Sequence, residues 1–577
     1  MNRCRGARAA LCAASIFWAV CSASAQGGAR RLPSDPRQLP ADVTFWSDYP
    51  SDVLAATLVS RMTDAELLAQ IFMFGWAGAE PDDLLYQWVD RGLGSVKVFG
   101  WNTDDIYLVA QSIASLQRRA LRNRFNIPLF VATDQEGGWI RHVKGATSIT
   151  PGNMAIGASG YPIDAWYSAY YISREIKALG INMNFAPVVD LYTDYDSPII
   201  STRAFSDSPE ASGILGNAFV MGSMAAGVIP TAKHFPGHGD TNNDSHTILP
   251  IIDIDYDTFV KRELAPFAYL VERQVPAIMS GHLAFPKIDQ SGAPASLSKY
   301  FLTDLLRGEL GYTGLIITDD MMMNGDTLYA GSISNAFRMA IEAGNDILIS
   351  STTARLDEPL WAVNLALMAQ DAAFRARVYD AAYRVIQAKL DYFKSGQAAP
   401  LYPDAAGIRA HIPDADGRAF FLAQACRSIT AYKRGSLPVT PETGGRILAC
   451  GTFSEYFAEI RKRYPGCGEF RYGYDPEPNE IASWGEQLAR TAASYDTIIA
   501  CVANRASARV VRYLQNSGKR VIVLSIMSPA VVLDFDWADA VLMGYSYSPY
   551  TFDALVGAAA GEFTPQGNVP FTVPAAR

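Results

Sequence analysis

The chain is short of the features that would tie it to a membrane, a metal or a nucleic acid. Cysteine is sparse, with seven in 577 residues, and three of these, Cys4, Cys12 and Cys21, fall in the first 25 positions. The other four, Cys426, Cys450, Cys467 and Cys501, show no close metal-ligand spacing. Export would permit disulfides among them, and their pairing stays open. Histidine is scarcer still, six in all, and no HxH or HExxH spacing occurs, so no metal and no other cofactor is expected. Positive charge is in deficit. The net charge is −9, which speaks against nucleic acid or a polybasic membrane surface as a partner. Beyond the N-terminus no apolar run is long enough to span a bilayer. Nothing in the sequence sets the oligomeric state.

The first 25 residues read as a signal peptide rather than as fold. Arg3, Arg5 and Arg8 make a basic start, residues 9–20 a short apolar core, and Ala23-Ser24-Ala25 a peptidase site before Gln26. Export to the periplasm or the extracellular space is expected. Cys21 raises a lipoprotein alternative, although Trp18-Ala19-Val20 is a poor lipobox.

What the chain has in quantity is apolar residues, 49% of the total, enough for large cores and more than one domain. Thr63-Asp64-Ala65-Glu66 ahead of Leu67 and Leu68 fits a capping box opening a helix. Short apolar runs then alternate with helical patterns, at 71–76, 95–100, 128–134, 182–190, 227–234, 276–282, 314–320 and 345–351. Runs apolar on both faces and separated by helices imply a parallel sheet. Eight of them suggest a (β/α)8 TIM-type barrel over 26–395. Residues 396–415 read as a linker. A smaller α/β sandwich domain follows over 416–577, with strand-like runs at 446–449, 497–502, 520–524 and 540–543 and no glycine-rich phosphate loop.

The carboxyl ends of the barrel runs are polar: Asp134, Asp190, Lys233 with His234, His282, and Asp319 with Asp320. Active sites of such barrels lie on that rim, and these groups suit a polar, uncharged ligand. Residues 231–250, TAKHFPGHGDTNNDSHTILP, hold His234, His238 and His246 together with Lys233, Asp240 and Asp244. A carboxylate on one imidazole nitrogen fixes the tautomer and raises the basicity of the other, so Asp244 and His246 can form an acid/base pair. Hydrogen-bonding loop residues or a metal site are the competing readings. Residues 314–323, GLIITDDMMM, deliver two adjacent aspartates to the rim. Neighbours on a strand point opposite ways, so one of the two faces the ligand unless both cap the following helix.

The string KHFPGHGDTNNDSHTILP resembles the motif of glycoside hydrolase family 3, in its β-N-acetylglucosaminidase branch, which carries KHFPGHGDT-x-x-DSH-x-x-LP. The resemblance implies that His246 is the general acid/base, Asp244 its partner, and Lys233 and His234 ligands of sugar hydroxyls. The family's β-glucosidases lack this Asp-Ser-His and use a glutamate. Asp319, directly after Thr318, is the implied nucleophile, with Asp320 bonding nearby backbone. Residues 131–138, VATDQEGG, are similar to the family's DQEGG element, which implies Asp134 as a sugar ligand. The family continues GG-x-V-x-R. Here Trp139-Ile140-Arg141-His142 follows, the arginine comes one residue early, and both Arg141 and His142 are candidates. Residues 197–205, SPIISTRAF, resemble the loop whose arginine reaches the sugar, which implies Arg203. His282, at the sixth strand end, is expected to line the pocket. The segment from Tyr545 onward is similar to the closing part of the family's second domain, expected to be structural or to position the chain against a cell-wall target.

Together these imply an exported, retaining β-N-acetylhexosaminidase that removes terminal N-acetylglucosamine through a glycosyl-aspartate. Peptidoglycan fragments and chito-oligosaccharides both fit as substrates. A β-glucosidase, a phosphorylase or a non-catalytic carbohydrate-binding protein are the alternatives. The phosphorylase arises because a neutral histidine base would not repel phosphate.

Overall fold

Each of the eight apolar runs coincides with a strand, the fifth strand ending one residue past its run: Phe72–Phe74, Ser95–Lys97, Phe130–Thr133, Met183–Asn184, Ile229–Phe235, Ala277–Ser280, Leu315–Asp320 and Ile347–Ser350. In the computed structural model they close into a barrel in chain order, every neighbour parallel, with the first strand paired to the eighth. The structure describes residues 39–574 apart from 196, 198 and 241–248. The N-terminal segment with Cys4, Cys12 and Cys21, and both Asp244 and His246, therefore lie outside the described residues.

The runs are apolar on both faces because helices cover the outside while side chains fill the centre. All seven residues of the fifth strand are buried, as are the first four of the seventh. The covering helices begin where the sequence supplies caps. Thr63 and Glu66 form the expected capping box. Asp105 caps Ile106–Ala120 and Ser208 caps Pro209–Ala226. The latter helix ends on Gly227 at φ +82°, which turns the chain straight into the fifth strand.

Residues 396–415 are more ordered than a plain linker, because Asp404 caps a helix at Ala405–His411. The second domain holds a six-stranded sheet in the order Thr430–Lys433, Ala540–Met543, Arg520–Ser525, Thr497–Val502, Ile447–Gly451, Gly468–Arg471. The first pair is antiparallel and the rest are parallel. Two of these strands escape a search for apolar runs. Thr430–Lys433 and Gly468–Arg471 are edge strands, half-buried or exposed over most of their length. Apolar layers cover both faces of the sheet. One layer includes Met154, Tyr192, Ile200 and Ala204 of the barrel, so the two domains share a core. Cys426, Cys450, Cys467 and Cys501 are all free thiols. Among the described residues no helix is long and apolar enough to cross a membrane.

Candidate active site

A cavity of about 420 Å³ opens at the carboxyl ends of the barrel strands. Its floor is built on two buried carboxylates from one short stretch. Asp134 directly follows the third strand; Glu136 lies two residues on, in a small hairpin formed by Gln135–Gly137 and Ile140–Arg141. Lys233 reaches both, at 2.5 Å from Asp134 Oδ1 and 2.7 Å from Glu136 Oε1. Lys97 lies 2.9 Å from Asp134 Oδ2, and Arg203 forks onto Glu136 with Nε and Nη2 at 2.9 and 2.8 Å. Burial alone would raise both carboxyls. Lys233 and Lys97 beside Asp134 hold it well below the usual range, and Arg203 with Lys233 lowers Glu136. The floor is thus a fixed lattice of ionised donors and acceptors, suited to fork onto adjacent hydroxyls.

Asp190, at the end of the 182–190 run, organises the next part. It accepts from the backbone N–H of His234 and of His238, and its Oδ2 lies 2.6 Å from His234 Nδ1. With Nδ1–H donated to Asp190, His234 presents Nε2 to the cavity, 3.5 Å from Arg203 Nη2 and 4.0 Å from Asp319 Oδ2. Lys233 and His234, joined by a cis peptide bond, both line the cavity. His238 lines it too. Among the described residues neither of its buried ring nitrogens has a partner, and burial with His234 close by pushes it down to about 4.

Asp319 and Asp320 divide as strand alternation requires. Asp319 Oδ1 accepts from the next backbone N–H at 2.8 Å and its side chain stays 21% exposed, whereas the Asp190 side chain is fully enclosed. Of these two, Asp319 is open to a ligand and Asp190 is not, while Asp320 shares the cavity wall with Asp319. Burial would raise Asp319, but His234 and His282 beside it bring it down to about 2, so it is ionised at neutral pH. Asp320 Oδ1 accepts from the backbone of Met322 and Ser351, as expected. Of the methionine run, Met323 lines the cavity and Met321 is buried.

The structure brings together Asp134, His142, Arg203, Lys233, His234 and Asp319. Two expected site residues stand elsewhere. Arg141 donates to Thr147 O and Oγ1 at 2.8 and 2.9 Å and is absent from the cavity wall, because the hairpin turns it outward and His142 inward. His142 Nδ1 sits 3.5 Å from Asp134 Oδ2, and burial lowers its basicity. His282 is fully enclosed behind the site. Its Nδ1 lies 2.9 Å from Asp326 Oδ2, and its Nε2 bonds the Asp320 carbonyl at 3.0 Å. Burial lowers it, yet Asp326 overrides this and lifts it to about 9, a cation behind the seventh strand rather than a wall of the pocket. Lys97 and Glu136 were missed. Lys97 ends a barrel strand and Glu136 lies two places after Asp134 in the hairpin, but a single charge in a sequence gives no sign of its partner. Among the described residues no cluster of His, Cys, Asp and Glu could hold a metal.

Comparison with known proteins places this geometry. The profile "Glycosyl hydrolase family 3 N terminal domain" matches residues 68–388. The chain is 38% identical over 274 residues to Beta-hexosaminidase A of Pseudoalteromonas piscicida, a match covering 44% of this chain and 45% of that one. It is 32% identical over 288 residues to a Beta-hexosaminidase of Nitrosomonas eutropha, covering 49% of this chain and 80% of the relative. The matched part thus spans under half of the first relative. Among solved structures, a glycoside hydrolase family 3 beta-N-acetylglucosaminidase from Paenibacillus sp. str. FPU-7 superposes with a TM-score of 0.78 at 27% identity, covering 89% of this chain and all of that one. A family profile over more than half of the residues, on a closed barrel with its carboxylate cavity at the expected rim, makes this chain a member of glycoside hydrolase family 3.

Proposed function

We propose that the protein is an exported, retaining exo-β-N-acetylglucosaminidase acting on cell-wall fragments or chito-oligosaccharides. The observation that carries the reading is Asp319, an ionised and partly exposed carboxylate in a cavity whose other groups form a hydroxyl-binding lattice. A retaining glycosidase needs such a carboxylate about 5 Å from its acid/base partner. The relatives' names favour a hexosamine, and that of the Paenibacillus structure favours N-acetylglucosamine, as the sugar released.

The chemistry runs in two displacements. Asp134, His142, Lys233, His234 and Arg203 hold the terminal sugar. Asp319 attacks the anomeric carbon, and the leaving oxygen takes a proton from an imidazolium. The neutral imidazole then removes a proton from water, which breaks the glycosyl–aspartate ester. The family resemblance implies His246 as the imidazole and Asp244 as its stabilising carboxylate. Export rests on the composition of residues 1–25.

The test is turnover of an aryl N-acetyl-β-glucosaminide against the matching β-glucoside, with and without phosphate. Preferential cleavage of the former to free sugar is expected. A sugar 1-phosphate product would make the protein a phosphorylase. Asp319→Ala is expected to abolish turnover while the thermal midpoint stays near wild type, and His246→Ala to cost about 10²–10⁴-fold in rate. Active Asp319→Ala protein would overturn the assignment.

A further inference from the structure

The floor of the cavity is charged, but one stretch of its rim is aromatic. Trp101 is 51% exposed, and it lines the same cavity as Asp319 and Asp134. It is nevertheless held in place. Its ring stacks on Phe99 at 4.4 Å between centroids and 4° between planes, and its Nε1–H donates to Trp76 O at 2.8 Å. The turn that carries it is tied down on both sides. Asn102 is buried, accepts from Phe99 N at 2.8 Å and donates to Trp76 O and Gly78 O in the loop after the first strand. Thr103 Oγ1 donates to His142 O at 2.6 Å in the loop after the third. Beneath Phe99 lies Lys97, its Nζ 4.4 Å from the ring centroid, the same ammonium that pairs with Asp134. The stack therefore runs from the charged floor up to an indole face left open at the mouth.

We propose that Trp101 is the platform on which the leaving unit of the substrate stacks, a pyranose ring or an aromatic aglycone. This rests on the glycosidase reading of the cavity. Pyranose rings present apolar C–H faces, and a fixed indole covers such a face without losing side-chain freedom on binding. The unit that reacts must lie with its anomeric carbon over Asp319 and its hydroxyls on the nearly buried floor groups. The next unit then extends toward the mouth, where Trp101 is exposed. Free indole surface at that point costs solvation in the empty protein, and a ring laid on it recovers that cost.

The test compares two substrates that share the released sugar and differ in what leaves: N,N′-diacetylchitobiose, and N-acetyl-β-glucosaminyl fluoride, whose leaving group has no ring. Trp101→Ala is expected to lower kcat/KM for the disaccharide by about tenfold and to leave the fluoride nearly unchanged. Trp101→Phe should recover most of the loss. Equal losses on both substrates, or none on the disaccharide, would overturn the proposal. If Trp101→Ala does not fold, Trp101→Leu, which keeps bulk without a ring, is read by the same ratio. A wild-type protein that cleaves neither compound would instead remove the glycosidase reading, and this proposal with it.

Discussion

Single side chains set the charge state of the site, and they do so through partners far away in sequence. Glu136 holds both Arg203 and Lys233. Glu136→Gln keeps the shape but leaves two buried cations short of a counter-charge, so kcat/KM is expected to fall about 10²-fold, measurable by steady-state kinetics. His282 gives a pH signature. Its basicity is raised to about 9 in the folded state, against about 6.5 unfolded. The resulting stabilisation is fully present below pH 6.5 and is lost as pH rises through 9. The thermal midpoint should decline over that interval, and the decline should vanish in Asp326→Asn. His238 behaves oppositely. It is neutral in the fold down to about pH 4 but protonates near 6.5 when unfolded, so it makes stability drop as pH falls from 6.5 to 4. His238→Phe should flatten that acid limb, on the order of 3 kcal/mol across it, and removing a buried imidazole whose nitrogens have no partner among the described residues should raise the midpoint at pH 5. These roles show what one sequence makes legible. Asp319 and Asp134 stand out because they close apolar runs with polar residues. That Arg141 turns away and His142 turns inward depends on the hairpin, and that His282 serves from behind depends on Asp326, 44 residues downstream. Spacing does not record either.

At the scale of elements, apolar runs on both faces made all eight barrel strands readable, because burial from two sides leaves a mark that does not depend on partners. The edge strands of the second sheet carry no such mark, since exposure on one side dilutes their pattern. Close approach between elements is equally invisible in sequence. Gly157, in the helix Asn153–Ser159, is one case: a Cβ placed there would meet the Phe205 carbonyl oxygen at 1.8 Å. The same helix supplies Asn153, whose Nδ2 donates to the Arg203 carbonyl at 2.8 Å. Gly157→Ala must push the helix from the loop that aims Arg203. The expected outcome is a folded protein with a rise in KM for the aryl glycoside. A KM equal to wild type would show that the loop is set by other contacts.

For the whole molecule, the second domain lies outside the carboxylate cavity yet packs against the loop that enters it. Phe571, near the end of the second domain, is 5% exposed and sits against Tyr192 and Tyr195 with centroids 5.2 and 5.5 Å away. Around it, Ser206 Oγ donates to Pro570 O at 2.7 Å, Asn568 N to Ala158 O at 2.9 Å, and Thr572 N to Asp207 Oδ2 at 2.7 Å. These contacts bracket Arg203 in sequence on both sides. The domain therefore meets the site by packing against the loop that carries Arg203. Two truncations separate this from a general loss of stability. Phe571→Ala and Ile460→Ala each remove a buried side chain from the second domain, at a cost of about 3 kcal/mol. Ile460 lies in the layer on the opposite face of the sheet, away from the barrel. At a temperature where both variants are fully folded, Phe571→Ala should raise KM severalfold and Ile460→Ala should leave it unchanged. Equal kinetics in the two would reduce the second domain to a stabilising mass with no hold on Arg203.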